Sequence, residues 1–410
     1  MHILPAMPDM PSIPKLTRAL ADLTVRFGAN LQPGQIMGIS SQPGKEELTR
    51  AIADAAYANG AKFVDLFVFD YHLKRSRALN ADPDTLQFVP PWYGQRVRAL
   101  GELRSALVSL SGPVEPHLLD DVPPELIGKD ILPRIRESIE VVNNRTANWT
   151  VVPSPTQGWA ELVYPQLDSE AVLPKLWEEI AYVTRLDTRD PVAAWIERMD
   201  TLETVAEKLD AMGLDRLRFD GPGTDLSVGV FPSSRWLCAR LETVEGIVHA
   251  PNLPTEEVFT TPDPERVQGT VTSTKPLFVS GTVISGLRVR FEGGRAVEID
   301  ANEGADVLRT MCQHDEGAAR LGEVALVDRD SRIGRLGTVF FDTLLDENAA
   351  SHIALGQALD FAIDDSGDRD RSNSSELHTD FMIGSDEVAV TGVLRDGTEV
   401  PLLRGGAWQI

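Results

Sequence analysis

The sequence predicts two domains, an N-terminal α/β domain over residues 1–190 and a C-terminal α+β domain over residues 191–410. Two patterns support this division. In the first half, strand and helix patterns alternate, as in a domain built on a mainly parallel sheet. From Arg216 onward, short alternating apolar segments follow one another with glycine-containing turns between them, which indicates antiparallel strands. A chain of 410 residues is long enough for two separate cores.

The first half begins with a Met- and Pro-rich stretch, residues 1–14, for which we expect no regular structure. Apolar residues at helical spacing follow at 15–27, and Pro33-Gly34 turns the chain into a strand at 35–40. A helix at 44–60 and a strand at 62–69 complete a β-α-β unit. The other elements predicted in this half are a strand at 103–111, a helix at 133–143, a strand at 148–152, a loop at 155–165, a helix at 172–184 and a long helix from 190 to 213.

The second half is predicted to contain a meander of short strands. Gly293-Gly294 is flanked by alternating apolar residues, which predicts a tight hairpin. Residues 304–312 have a helical pattern, and the strand that follows contains Glu323 within the apolar run LGEVALV. Strands dominate this half and helices are interspersed, as in an α+β domain.

The composition is that of an acidic globular protein, with a formal net charge of -23 at pH 7. Such a charge argues against nucleic acids and anionic membranes as partners, because both attract basic surfaces. No apolar run approaches the length of a membrane span, and no signal-peptide pattern opens the sequence, so we expect a cytoplasmic protein. The two cysteines, Cys238 and Cys312, are too few for a disulfide framework.

The turn at residues 40–45 ends in Gly44-Lys45 before a helix and therefore resembles a phosphate-binding loop. It lacks the G-x-x-x-x-G-K-[ST] spacing of such a loop, and no G-x-G-x-x-G follows a strand in this half. We interpret it as an ordinary turn at the start of a helix and predict no nucleotide cofactor.

A histidine and an aspartate lie two residues apart in HTDFMIG, residues 378–384, where the apolar residues predict a strand. Because side chains at i and i+2 of a strand lie on the same face, His378 and Asp380 can point into one cavity. An imidazole and a carboxylate together suit a divalent metal of borderline hardness, such as zinc, cobalt or manganese. A hydrogen-bonded pair at the surface is the alternative interpretation.

Three more segments contain side chains that bind metals. His352 lies in NAASHIALG, where we predict the start of a helix, and Glu323 lies in an apolar strand. A further strand, in TEEVFTTP, contains Glu256 and Glu257. A carboxylate inside an apolar strand is costly to bury unless it is paired or bound to a metal. Three carboxylates and two histidines exceed the ligands of one catalytic zinc ion and fit two ions that share a carboxylate.

These segments resemble the dimetal aminopeptidases of the family of thermophilic aminopeptidase T and staphylococcal aminopeptidase S. The matching text is NLPTEEVFTTP at 252–262, the run through Glu323, NAASHIALG at 348–356 and HTDFMIG at 378–384. Weaker similarity extends to GPGTDLSVGV at 221–230 and PTQGWAELVYP at 155–165, so the resemblance covers most of the chain.

The resemblance implies two divalent ions, zinc, cobalt or manganese, and a set of five ligands. These ligands are Glu257, Glu323, His352, His378 and Asp380, with Glu323 in the bridging place. Glu257 and Glu323 are the predicted catalytic carboxylates. Glu256 points to the opposite face of its strand, and we do not assign it as a base.

One position departs from the family pattern. The family has a tyrosine, thought to assist catalysis, in a His-Ile-Ala-Leu-Gly-x-Ala-Tyr run, and the matching position here is Leu359 in HIALGQAL. All 5 tyrosines of the chain precede Val183. Loss of one donor to the oxyanion typically costs roughly a hundred- to a thousandfold in rate. The expected consequences are weak activity, a compensating donor from elsewhere, or a different substrate.

The predicted function is a metal-dependent hydrolase, an aminopeptidase or related amide hydrolase. It would remove an N-terminal aminoacyl group from a peptide or peptide-like small molecule by a metal-activated water. One alternative is a non-haem Fe(II) dioxygenase that uses His352, His378 and Asp380, and another is a metal-binding protein that has lost catalysis. The resemblance also suggests a homodimer in which the N-terminal domain of one subunit helps to enclose the active site of the other.

Two other histidines and one loop lie close to the predicted ligands in sequence. We expect His249 and His314 to lie outside the site, with His314 exposed. The polar segment 363–375 leads almost directly into His378. It would either cover the substrate cavity or form a solvated insertion, and the sequence supports the two interpretations equally.

Overall fold

The computed structural model describes residues 11–133, 135–238, 240–279 and 281–410. Of the predicted irregular stretch at 1–14, residues 1–10 lie outside the described residues. Its last two residues, Ile13 and Pro14, correct that prediction, because they open the first helix. A proline in the first turn of a helix costs no hydrogen bond.

The first half is a parallel sheet surrounded by helices. Its four strands are β1 Ile36–Ser41, β2 Phe63–Val68, β3 Ala106–Ser111 and β4 Asn148–Pro153. Its helices are α1 Ile13–Leu23, α2 Glu46–Ala58, α3 Tyr71–Asn80, α4 Pro91–Glu102, α5 Pro124–Lys129, α6 Arg136–Asn143, α7 Gln157–Val163 and α8 Ser169–Val183, and α9 Pro191–Met212 leads into the second half. The sheet order is β2-β1-β3-β4 with parallel pairing throughout, which confirms the predicted α/β class.

Two predictions in this half are wrong. Residues 103–105 belong to the turn after α4, and β3 starts only at Ala106. Residues 155–165, predicted as a loop, contain α7. The Thr156 side chain caps this helix by accepting a hydrogen bond from the Trp159 backbone N–H, and the Trp159 ring is fully buried. Burial of this ring, which the local sequence pattern does not reveal, stabilises a short helix there.

Among the described residues, the second half contains seventeen strands, four short α-helices and one turn of 3-10 helix at Asp360–Ala362. The strands are β5 Leu214–Gly221, β6 Thr224–Val230, β7 Leu237–Cys238, β8 Leu241–Glu242, β9 Val248–His249, β10 Glu257–Thr260, β11 Pro262–Thr272, β12 Leu277–Val279, β13 Thr282–Ile284, β14 Arg288–Glu292, β15 Arg295–Asp300, β16 Leu321–Val327, β17 His352–Gly356, β18 His378–Met382, β19 Ala389–Leu394, β20 Glu399–Arg404 and β21 Ala407–Trp408. The helices are α10 Ala305–Met311, α11 Arg332–Leu336, α12 Thr343–Glu347 and α13 Ser366–Arg369.

These strands form two main sheets. The eight-stranded sheet has the order β15-β14-β11-β6-β5-β19-β20-β21, and the five-stranded sheet has the order β18-β17-β16-β10-β7. Both sheets are antiparallel, and the predicted hairpin at Gly293-Gly294 joins β14 to β15. The prediction of an α+β arrangement after the α/β half is therefore confirmed.

The two halves share part of their cores. Ile333, Phe340 and Leu345 from the second half lie in the same buried cluster as the side chains that cover the parallel sheet. The Trp159 indole N–H donates to the Phe340 carbonyl at 2.6 Å. Within the described residues, none of the helices combines the length and the apolar character needed to cross a membrane.

Candidate metal centre

The five-stranded sheet brings the five predicted ligands onto neighbouring strands. Glu257 begins β10 and Glu323 lies on β16. His352 begins β17, while His378 and Asp380 lie on β18. Because β10, β16, β17 and β18 are adjacent in this order, residues that are up to 123 positions apart in sequence become neighbours.

The strand register places all five side chains on one face of that sheet. Residues directly opposite each other in an antiparallel pair share a face. Ala354 lies opposite both Glu323 and Asp380, and Ala325 lies opposite His352. The residues between the ligands are therefore alanines, whose small side chains leave room in front of the sheet. The other face, which includes Val324 and Ile353, belongs to the main core.

The prediction that His352 starts a helix is wrong, because it is the first residue of strand β17. All five residues of this strand are buried, so no alternation of polar and apolar residues marks it. A short continuous apolar run cannot be distinguished from a buried helix by its pattern alone. Pairing with β16 on one side and β18 on the other decides the conformation.

The ligand atoms form two groups that share one carboxylate. In one group, donor atoms of Glu257, Glu323 and His352 all lie within 4.8 Å of one another, and the same holds for Glu323, His378 and Asp380. His352 Nε2 lies 3.0 Å from Glu257 Oε2, and His378 Nε2 lies 3.1 Å from Glu323 Oε2. The geometry thus gives Glu323 a central place between two clusters of oxygen and nitrogen donors.

Backbone carbonyls orient both imidazoles. His378 Nδ1 lies 2.8 Å from the Gln357 carbonyl, and His352 Nδ1 lies 3.2 Å from the Ala350 carbonyl. A hydrogen bond from Nδ1–H to a carbonyl leaves Nε2 as the nitrogen with a lone pair. In both histidines, Nε2 is the atom that faces the carboxylates.

A β-bulge sets the direction of Glu323. The pairing of β16 with β17 shifts register between Leu321 and Glu323. At Gly322 the two backbones approach so closely that a Cβ atom would lie 2.1 Å from the Gln357 carbonyl oxygen. Only glycine fits this approach, and such bulges commonly re-aim a neighbouring side chain at a functional site.

Electrostatics at the site follow from the burial of several carboxylates together. Burial raises the pKa of Glu323, which the hydrogen bond and charge of His378 lower in part. Burial alone would lower the pKa of His352, but the hydrogen bond to Glu257 and the negative charges around it raise that pKa to about 9. Within the described ranges, neither Glu257 nor Glu323 forms an ion pair with a lysine or arginine. The local field therefore favours cations.

Sequence reasoning missed a further buried carboxylate, Glu347. It ends helix α12 and is 8% exposed. Burial raises its pKa well above the usual range, and the charges of Asp380, Glu257 and Glu323 raise it further. Its oxygen accepts hydrogen bonds from the amides of Asn252 and Asn348. The charged Asp-Glu-Asn sequence at 346–348 gives no local signal of this burial.

Two neighbouring cavities of about 380 Å³ and 490 Å³ lie beside this site, between the two halves of the chain. The smaller one reaches Glu347 and the larger one reaches His378. Both are lined by Gln42 and Ser111, which lie at the carboxyl ends of β1 and β3. The strand order reverses between these two strands, and open α/β sheets bind ligands at such a position.

The remaining predicted positions lie around the site. Glu256 points to the opposite face from Glu257, as predicted, where it contacts two arginines. His249 is buried outside both groups of ligand atoms. The prediction that His314 is exposed is wrong: its side chain is only 8% exposed, and Nε2 lies 2.8 Å from Glu376 of the larger cavity.

Two segments near the ligands adopt ordered structure. Leu359 packs beside Phe259, Trp149 and Phe361 in a small apolar cluster that also contains Ala325 of the ligand face. The predicted polar segment 363–375 contains the exposed helix α13 and, near its end, the buried Asn373. The Asn373 amide donates to the Gly356 carbonyl at 2.6 Å, which fixes the chain just before the strand that contains His378.

Comparison with known protein families gives a match over nearly the whole chain. Residues 14–408 match the family model described as thermophilic metalloprotease (M29). The chain belongs to this family. Membership confirms the resemblance noted in the sequence and the prediction of a metallo-aminopeptidase, and it gives no support to a dioxygenase or to a binding protein without catalysis.

Several relatives are similar over nearly their whole length. Aminopeptidase T of Thermus aquaticus is 41% identical over 399 residues, which cover 95% of this chain and 98% of the relative. Aminopeptidase 2 of Geobacillus stearothermophilus is 36% identical over 401 residues, which cover 95% and 96%. The solved structure of wild-type AmpT from Thermus thermophilus superimposes with a TM-score of 0.85 at 39% identity and covers 97% of this chain and 100% of the other.

Proposed function

We propose that this chain is an aminopeptidase that uses two divalent ions to remove the N-terminal residue of a peptide or peptide-like small molecule. The observation that carries the proposal is the shared position of Glu323 between two groups of donor atoms, each within 4.8 Å. A single ion does not need both groups, because a catalytic site for one ion uses three protein ligands. A carboxylate common to both groups suits a bridged pair.

The residues present fit such ions. Glu257, Glu323 and His352 would hold one ion, and Glu323, His378 and Asp380 would hold the other. Carboxylate oxygen and imidazole nitrogen are the donors that zinc, cobalt and manganese accept. Glu257 and Glu323 are buried, and among the residues that the structure describes neither pairs with a lysine or arginine. This supports cationic occupants, since unpaired buried charges are costly.

Two bound ions supply a polarised carbonyl and a water molecule whose pKa lies near neutrality. The chain itself positions these ions through Glu257 and Glu323, the predicted catalytic carboxylates. Glu347 belongs to neither group but lines the smaller cavity beside them. We assign it the transfer of a proton from the attacking water to the leaving amine, as a general base and then a general acid.

The cavities favour a peptide with apolar side chains. The smaller cavity is lined by Phe278, Val279 and Leu344, together with Leu118 and Leu119. Phe278 alternates with the buried Leu277 and Val279 on a three-residue strand, so its ring is directed away from the core. Transfer of an apolar substrate side chain from water into this cavity would lower the free energy of the complex.

A homodimer is part of the proposal. The edge strand β2 exposes apolar side chains, with Phe63 56%, Leu66 49% and Val68 48% accessible. An unpaired edge with exposed apolar residues is a surface that a second copy of the chain could cover. A cytoplasmic location stays a prediction from the sequence.

Substitution of Glu323 by Gln tests the proposal. The amide keeps the size of the side chain but cannot supply two anionic oxygens, so we expect loss of both bound metals and of peptide hydrolysis together. Glu179→Gln is a matched control, because Glu179 is also a buried glutamate, 5% exposed, but lies on α8. If the Glu323→Gln protein still holds two ions tightly, the shared-carboxylate assignment is wrong.

A further inference from the structure

A buried ionic cluster lies on the face of the five-stranded sheet opposite the proposed metal site. Its carboxylates are Glu256, which is 1% exposed, and Asp328, which is 5% exposed. Arg198 Nε donates to Glu256 at 2.6 Å, and Arg185 Nη2 donates to it at 3.0 Å. Arg198 also reaches Asp328 Oδ2 with its Nη2 at 3.4 Å. One arginine therefore joins the two carboxylates.

The strand register explains why these carboxylates need Arg198. Glu257 lies opposite Val327 in the antiparallel pair of β10 and β16. The next position in that register puts Glu256 across from Asp328. Two negative charges directly opposite each other destabilise an antiparallel pair. Arg198 offsets this repulsion by contacting both carboxylates, and so links the start of β10 to the end of β16.

Further contacts hold the same two strand ends from other directions. The Glu256 backbone N–H donates to the Asn348 side chain at 2.6 Å, and the Trp408 indole N–H donates to Asp328 at 2.9 Å. The Arg185 guanidinium stacks 4.5 Å from the centre of the Trp195 ring. Helix α9, the segment before His352 and the last strand thus converge where β10 begins.

We propose that Glu256, Arg198 and Trp408 are positioning residues for the metal group formed by Glu257, Glu323 and His352. The inference rests on the proposed two-metal function. Glu257 follows Glu256 directly and points to the opposite face, so a rotation of the strand end would move the Glu257 carboxylate. Partners behind metal ligands typically change metal affinity about 10- to 100-fold when they are removed.

Loss of these positioning residues should lower the affinity for one ion more than for the other. The second group shares only Glu323 with the first and takes His378 and Asp380 from β18, which is separated from β10 by β17 and β16. Its histidine is oriented by the Gln357 carbonyl rather than by a group in contact with Glu256. Loss of the Glu256 carboxylate should therefore weaken one ion about tenfold or more and leave the other nearly unchanged. A general loss of fold stability would weaken both equally.

Cobalt titration of the metal-free full-length protein tests the proposal. Visible absorption of Co²⁺ reports each binding step, and the rise in melting temperature at a fixed cobalt concentration reports the same affinity independently. We expect two steps in the native protein and one selectively weakened step in Glu256→Gln. Asp215→Asn is the matched control, since Asp215 is also paired with arginines but lies on β5. Its partners are Arg266 at 2.8 Å, Arg216 at 3.1 Å and Arg395 at 3.7 Å.

Trp408→Phe is the second variant, because it removes only the N–H donor and keeps an aromatic ring. It should weaken the same step by a smaller factor. If the native protein binds cobalt in two steps and both variants, Glu256→Gln and Trp408→Phe, keep the native affinity at each step, the positioning role is wrong. The two-metal function would then still stand. A native protein that binds no cobalt would overturn the two-metal function and this inference with it.

Discussion

His249 allows a quantitative prediction of how stability depends on pH. It ends strand β9, is 4% exposed, and its Nε2 has no hydrogen-bond partner in the described part of the chain. Its ring centroid lies 6.2 Å from that of Trp149. Burial lowers the pKa of His249 to about 4, although contact with the Ile247 carbonyl raises it in part. The folded protein therefore keeps this imidazole neutral.

The direction of the pH dependence follows from comparing proton binding by His249 in the folded and unfolded states. Between pH 6.5 and about 4, the unfolded chain binds a proton at His249 and the folded protein does not, so stability falls as the pH falls. One pH unit corresponds to about 1.4 kcal/mol, so the lost stability across this window is about 3 kcal/mol. Above pH 6.5 neither state binds a proton at His249, so its contribution to the free energy of unfolding no longer changes with pH.

Substitution of His249 by Phe removes the titration and keeps a ring of similar size. We expect the free energy of unfolding of the variant to fall by about 3 kcal/mol less than that of the native protein between pH 6.5 and pH 4. Urea unfolding of the metal-free proteins, followed by circular dichroism at half-unit pH steps, measures the difference. His117→Phe controls for the chemical change, because His117 is 72% exposed. Parallel pH profiles of native and His249→Phe protein would refute the reasoning.

Three further predictions concern the metal site. Leu359→Tyr places a phenol beside the ligand face and should raise kcat for peptide hydrolysis by at most roughly a thousandfold. Leu359→Phe, which lacks the hydroxyl, should leave kcat unchanged, and steady-state kinetics of both variants measure the difference. Ala354→Val adds two methyl groups at the position between Glu323 and Asp380. Overpacking there should cost about 1–3 kcal/mol and weaken cobalt binding about 5- to 150-fold in a metal titration. Glu347→Gln should keep both ions but lose most of kcat, and loss of one ion on elemental analysis would make Glu347 a ligand instead.

Much of the proposed ligand set could be picked out from the sequence because strand periodicity is local. The spacing of His378 and Asp380, and the isolated Glu323 within an apolar run, are visible in a few residues. Their meeting at one point is not local, because it depends on the order β18-β17-β16-β10. The family resemblance supplied that step, and the register of the sheet agrees with it.

Other features could not be predicted because their causes lie far along the chain. His352 adopts a strand only because two neighbouring strands pair with it. Glu347 is buried although charged residues usually stay in water. Its helix α12 packs against strand β4 of the other half of the chain, a contact that the local sequence does not reveal. Glu256 meets arginines 58 and 71 positions away, a pairing that no sequence window contains.

Metal-dependent turnover tests the central claim most directly. The protein is stripped of metal, titrated with zinc, cobalt or manganese, and assayed on a panel of aminoacyl p-nitroanilides while bound metal is counted. We expect hydrolysis to appear as the second ion binds, with the highest kcat/KM for apolar N-terminal residues. Full activity with one ion per chain, or no hydrolysis of any substrate with two ions bound, would contradict the proposed two-metal aminopeptidase.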